Sequence, residues 1–199
     1  MEKSSVNIAV FCSGSGSNAQ KIFEYFEHRA DVKVVVVMSN NKNAFALERA
    51  AKFNIPTRVF NREEYLRSDI IVNELKSYKI DWVVLAGFLW LIPDQLIKAF
   101  PGKIVNIHPA LLPAFGGKGM YGMNVHEAVI QAKEKKTGIT IHYINEHYDE
   151  GEIIFQEICE VEEGDTPEIV AKKVQVLEHL HFPIIIDQLI NQGKEDEKN

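Results

Sequence analysis

The chain has 199 residues, 46% of them hydrophobic and 25% charged, with a formal net charge of -6 at pH 7. That composition suits one soluble domain over 1–199 with a single good core, and the absence of an arginine-rich stretch argues against a general nucleic-acid binder. Met1–Ser5 lacks the apolar segment of a signal peptide, and no apolar run nears the roughly 20 residues of a membrane span. The expectation is a cytoplasmic protein without a nucleic-acid or membrane partner.

Apolar runs at Asn7–Cys12, Lys33–Met38, Thr57–Phe60, Trp82–Ala86 and Lys103–Ile107 read as strands. Between them, Ala19–Glu27, Ala44–Phe53, Arg62–Lys79 and Pro93–Ala99 carry apolar residues three or four apart and read as helices. Strands alternating with helices predict an α/β fold: an open, mostly parallel sheet whose right-handed crossovers place helices on both faces. Beyond Pro113 the pattern changes. A glycine-rich stretch with Lys118 at its centre leads to a short helix over Asn124–Ala132. Then Thr137–Tyr143 and Glu152–Val161 alternate in the manner of an antiparallel strand pair. Asp165-Thr166-Pro167 supplies a cap and a first-turn proline for a long last helix, which Pro183 is expected to interrupt. Gly193 onward is charged and reads as a flexible tail over 193–199. Cys12 and Cys159 lie in apolar runs without a second cysteine at ligand spacing, which predicts buried free thiols and no metal.

Two motifs bear chemistry. Ser13-Gly14-Ser15-Gly16-Ser17-Asn18 falls between the first strand and first helix, where backbone N–H groups and the helix dipole favour a phosphate. It lacks the third glycine of a dinucleotide fingerprint and the lysine of a P-loop, so a monophosphate fits better than NAD or ATP. By itself it is equally well a tight turn in which Ser17 or Asn18 caps the helix. The second motif, Asn106-Ile107-His108-Pro109-Ala110-Leu111-Leu112-Pro113, ends a buried run with an amide and an imidazole at a strand's carboxyl end, where sites of open α/β sheets cluster. A lone histidine there is more often structural than catalytic. Tyr148-Asp149-Glu150-Gly151, in the turn of the antiparallel pair, offers a carboxylate able to hold an imidazolium, although turn chemistry alone explains an aspartate.

Together with Ser39-Asn40, Leu85-Ala86-Gly87-Phe88, His126-Glu127-Ala128 and Gly138-Ile139-Thr140-Ile141-His142, these motifs occur in an order that resembles the phosphoribosylglycinamide formyltransferase family across nearly the whole chain. The resemblance implies a Rossmann-like formyltransferase fold. It also implies transfer of a formyl group from 10-formyltetrahydrofolate, a cosubstrate, to the glycyl amine of 5-phosphoribosylglycinamide in purine synthesis. The residues it implies are Asn106, His108 and Asp149 for catalysis; Gly16, Ser17 and Asn18 for the substrate phosphate; and Glu178 for the ribose hydroxyls. For the folate they are Arg62, Leu89, Trp90, Leu91, Ile92 and Asn106. Trp90 stands where the family often has a basic residue, which bears on folate affinity. The expected assembly is a monomer or homodimer.

Two other readings compete. A formyltetrahydrofolate hydrolase or a methionyl-tRNA formyltransferase would share the fold. The first carries an added N-terminal domain, for which Met1–Ser5 leaves no room, and the second a C-terminal tRNA-binding domain with a basic surface. A binding module without activity would dispense with Asn106, His108 and Asp149.

Overall fold

A computed structural model describes residues 5–196. The chain divides into two compact units, one ending at Val105 and the other beginning at Asn106. Among the described residues are seven strands, mostly parallel with one antiparallel pair, and seven helices.

The first unit contains β1 (Val6–Cys12), β2 (Val32–Ser39), β3 (Thr57–Val59) and β4 (Trp82–Leu85) in the order β3-β2-β1-β4. All of its pairings are parallel. Central strands of such a sheet are covered on both faces, so they read as unbroken apolar runs. Ile8, Ala9, Val10, Phe11 and Cys12 of β1 are all fully buried. Burial also pushes the Cys12 thiol up to about 12. The connecting helices are α1 (Ser17–Phe26), α2 (Phe45–Lys52), α3 (Arg62–Leu66), α4 (Ser68–Ser77) and α5 (Asp94–Ala99).

One expected helix is two. The periodicity over Arg62–Lys79 is broken at Arg67, whose backbone (φ -86°, ψ 66°) leaves the helical region. Asn61 and Glu64 close α3 with a capping box: the Asn61 side chain accepts from the Glu64 amide, and the Glu64 carboxylate accepts from the Asn61 amide, each at 2.9 Å.

β5 (Ile104–His108) runs across the unit boundary, and the second unit continues with α6 (Met123–Gln131), β6 (Lys136–Tyr143), β7 (Ile153–Glu160) and α7 (Pro167–Asp196). β6 and β7 pair antiparallel, as their alternation predicts. A Cβ on Gly138 would lie 1.9 Å from the Glu157 carbonyl oxygen, so the two strands approach as they do only because residue 138 has no side chain.

Pro183 does not interrupt α7. It lies inside one continuous helix, although it has no N–H to give the preceding turn. The buried side chains Val174, Phe182, Ile185, Ile186, Leu189 and Ile190 hold the helix on both sides of the proline, and tertiary burial outweighs one missing bond. The helix takes in 193–196 of the expected tail, while 197–199 lie outside the described residues. No helix among the described residues is long and apolar enough to cross a membrane.

Candidate active site

In the second unit the strand β5 delivers Asn106 and His108 near its carboxyl end, and the β6–β7 turn delivers Asp149. Asp149 sits in the left-handed region at φ 57°, which aspartate tolerates better than most residues. This places Asp149 Oδ2 3.5 Å from His108 Nδ1, and the same oxygen accepts the Gly117 amide at 2.9 Å. On its other side the His108 ring donates from Nε2 to the Phe115 carbonyl oxygen, 2.8 Å away. A carbonyl only accepts, so this bond places a proton on Nε2. The His108 side chain is nearly enclosed.

Asn106, His108 and Asp149 therefore converge as expected, but they do so around a fourth residue that the sequence reading leaves unassigned. His142 of β6 is fully buried, with Nε2 3.0 Å from Asn106 Nδ2 and 3.7 Å from Asp149 Oδ1. Burial lowers the His142 pKa, against the opposing pull of the Tyr143 carbonyl and the Asp149 charge. A signal for it exists in the sequence. Gly138, Thr140 and His142 occupy one face of β6 at period two, the polar set that a half-exposed strand turns to water, yet Thr140 and His142 are both fully buried. Polar side chains buried on one strand face indicate a network, and Thr140 confirms the rule. Its hydroxyl donates to Ala110 O (2.7 Å) and accepts from Leu112 N (3.0 Å) and Gln156 Nε2 (2.8 Å), fixing the Ala110–Pro113 segment that follows His108.

His126 of α6 is buried as well, and its Nδ1 has no hydrogen-bond partner among the described residues. Burial first, then the neighbouring His108, lower its pKa. Gly116 is confined by the same cluster: a Cβ there would meet Leu112 Cδ2 at 2.5 Å and Asp149 Cβ at 3.2 Å.

The first unit holds the other expected residues except Glu178. Gly16 is the N-cap of α1, at φ 69°, and a Cβ would meet Ala46 Cβ at 2.5 Å, so both its conformation and its space demand glycine. The N-cap residue is Gly16, which has no side chain to cap α1, and the first turn carries no acidic residue, so no carboxylate of that turn offsets the positive dipole end. Ser13 ties this turn to the loop after β4: its N–H donates to Gly87 O at 2.9 Å, and its hydroxyl accepts from Leu89 N at 3.0 Å. In that loop Leu89 and Leu91 are exposed, Trp90 is half-buried and Ile92 belongs to the core. The Arg62 guanidinium lies 5.8 Å from the centre of the Trp90 ring, and Tyr65 donates to Leu91 O at 3.1 Å. Phe11, Phe60, Tyr65, Phe88 and Trp90 form a continuous aromatic cluster beneath. Glu178 is half-buried on α7 of the second unit.

The chain has known relatives. Residues 6–186 match the family model described as Formyl transferase. The chain belongs to the formyl transferase family. Within that family it is 46% identical over 191 residues to the chloroplastic phosphoribosylglycinamide formyltransferase of Arabidopsis thaliana, an alignment covering 93% of this chain and 65% of that protein. To the phosphoribosylglycinamide formyltransferase of Bacillus subtilis it is 36% identical, with 96% of this chain and 97% of the relative covered. The crystal structure of phosphoribosylglycinamide formyltransferase from Bacillus halodurans superposes with a TM-score of 0.84 at 36% identity, covering 94% of this chain and 96% of that one. The formyltransferase fold, α/β and mostly parallel with a late antiparallel pair, is thereby established for this chain.

Proposed function

We propose that this chain transfers the formyl group of 10-formyltetrahydrofolate to the glycyl amine of 5-phosphoribosylglycinamide, the reaction named for its relatives in Arabidopsis and Bacillus. The observation that carries this reading is the convergence of an amide donor, Asn106, with the His108–Asp149 pair at 3.5 Å. Formyl transfer to an amine needs an oxyanion donor and a proton relay, and those are the groups assembled.

An α-amine titrates near roughly 8, so a useful neutral fraction exists at physiological pH and no covalent nucleophile on the protein is required. The amine nitrogen bonds to the formyl carbon and generates a tetrahedral oxyanion. Asn106 Nδ2 donates to that oxygen, and preorganised donors of this kind are worth about 3–4 kcal/mol each. His108 can join it once its Nε2–H exchanges the Phe115 carbonyl for the substrate oxygen. The bond from the formyl carbon to the folate N10 then breaks. One proton leaves the attacking nitrogen and one arrives at N10, with His108 and Asp149 as the groups able to hold it between the two. The products are the N-formyl amide and tetrahydrofolate.

The same reading assigns Gly16, Ser17 and Asn18 to the substrate phosphate and Glu178 to the ribose hydroxyls. It gives Arg62 and the Leu89–Ile92 loop to the folate. The N-terminus of α1, whose first turn carries no acidic residue, supports the first assignment.

The deciding experiment follows absorbance of a 10-formyl-5,8-dideazafolate incubated with protein, with and without the ribonucleotide. Folate product that appears only with the ribonucleotide establishes transfer to that amine. Equal deformylation in both reactions means a hydrolase, and no change in either overturns the enzyme reading.

A further inference from the structure

The geometry assigns to His142 a positioning role: as a neutral ring protonated on Nδ1, it accepts from Asn106 Nδ2 and thereby decides which edge of that amide faces the reaction. The assignment follows from the two ring nitrogens. Nδ1 lies 2.8 Å from the Tyr143 carbonyl oxygen, which can only accept, so Nδ1 carries the hydrogen. In the neutral ring Nε2 is then bare. Its partner at 3.0 Å must be a donor, and Asn106 Nδ2 is that donor. Asp149 Oδ1, at 3.7 Å from Nε2, stands outside hydrogen-bonding distance and competes with neither bond. Full burial of His142 favours the neutral ring.

The consequence falls on Asn106. An asparagine amide has two N–H donors and one acceptor oxygen. With one N–H spent on His142, Asn106 keeps one N–H and its Oδ1 without a partner among the described residues, and its side chain is partly exposed. A donor and an acceptor side by side match a tetrahedral centre in which an oxyanion grows next to an N–H. The donor meets the oxygen and Oδ1 meets the hydrogen of the attacking nitrogen. A His142 ring protonated on Nε2 would instead donate to Oδ1 and turn the amide over. Both N–H groups of Asn106 would then face away from His142, while its acceptor oxygen would be held against the ring. Which arrangement exists is therefore set one residue away from the substrate, by the carbonyl of Tyr143. This role rests on the formyl-transfer reading; the tautomer itself does not.

The test has two parts, read separately. Long-range 1H–15N correlation spectra of the wild-type protein at pH 7.5 report which His142 nitrogen is protonated, whether or not the protein has activity. The expected pattern is a protonated Nδ1 and a bare Nε2; an Nε2-protonated or doubly protonated ring overturns the proposal. Formyl transfer is then measured for His142→Leu, which offers no acceptor, and His142→Gln, whose side-chain oxygen can take the Nε2 position. Loss of such a supporting bond should lower the kcat of His142→Leu by about 10- to 100-fold with KM values changed far less, and Gln should recover a large part of that loss. A His142→Leu protein with wild-type kcat, or a folded Gln variant no better than Leu, overturns the role. If wild-type protein transfers no formyl group, the functional reading fails while the spectrum still reports the ring.

Discussion

Asp149 Oδ2 reaches two partners at once, standing 3.5 Å from His108 Nδ1 and accepting the Gly117 amide at 2.9 Å. The carboxylate thereby both faces the imidazole and anchors the loop whose Phe115 carbonyl covers the other ring nitrogen. Charge and loop position can be separated, because an amide oxygen still accepts from Gly117 but carries no charge. In Asp149→Asn, kcat should fall on the order of 10²- to 10⁴-fold, the usual share of a general acid–base group, with KM and the melting temperature little changed. Steady-state kinetics beside a thermal melt checks this, and a kcat within twofold of wild type would take the carboxylate out of the relay.

The buried histidines make stability depend on pH in a predictable direction. His126 and His142 both titrate below the ordinary 6.5, chiefly through burial. Between the folded and unfolded pKa values the unfolded chain binds more protons. Their contribution is therefore fully present above about pH 6.5 and is lost as pH falls through that value toward the folded pKa values. Each group can contribute a slope of up to about 1.4 kcal/mol per pH unit in that window. Urea unfolding at pH 7.5, 6.5 and 5.5 should show stability declining with acid, and His142→Gln should flatten the decline. A curve flat from 7.5 to 5.5 contradicts the argument.

Gly138→Ala should be among the most damaging single-methyl changes in the chain. Its Cβ would fall 1.9 Å from a backbone oxygen on β7, which cannot swing away as a side chain can. A loss of about 1–3 kcal/mol or more is expected in chemical unfolding. Gly14→Ala, whose Cβ meets nothing within 4 Å, is the control and should cost much less.

Arg62→Ala tests the folate assignment. The guanidinium lies over Trp90, 5.8 Å from the ring centre, and both flank the exposed Leu89 and Leu91. If Arg62 holds an anionic group of the folate, losing one charge-assisted bond costs about 1.5–3 kcal/mol, and the folate KM should rise tenfold or more while kcat changes less. An unchanged folate KM would leave the arginine as a surface residue that merely stacks on an indole.

Much of this is legible in the amino-acid sequence. Strands β1, β2, β4 and β5 announce themselves as apolar runs because both faces of each are covered, and Asn106, His108 and Asp149 stand where a strand end and a turn allow reactive groups. What escaped depended on tertiary context. The break at Arg67 lies inside an unbroken helical periodicity, and only its φ and ψ reveal it. Pro183 carries a strong local signal that burial along α7 overrides. His142 looks like the polar half of an amphipathic strand, and its importance emerges only when that half proves to be buried. The covering of His108 Nε2 by Phe115 arises from a loop whose left-handed residues, Phe115 at φ 56° and Gly117 at φ 93°, follow no simple turn pattern.

The chain has only two tryptophans, and they occupy opposite circumstances. Trp82 is enclosed in β4, with the Lys103 ammonium 4.6 Å from its ring centre, whereas Trp90 sits half-buried in the loop beside Arg62. The protein thus carries a built-in optical reporter. Trp82 supplies a steady fluorescence background, and a ligand entering beside the Leu89–Ile92 loop would alter the emission of Trp90 alone. A Trp90→Phe protein would leave the constant component by itself. The same indole would make binding at that loop visible without a label.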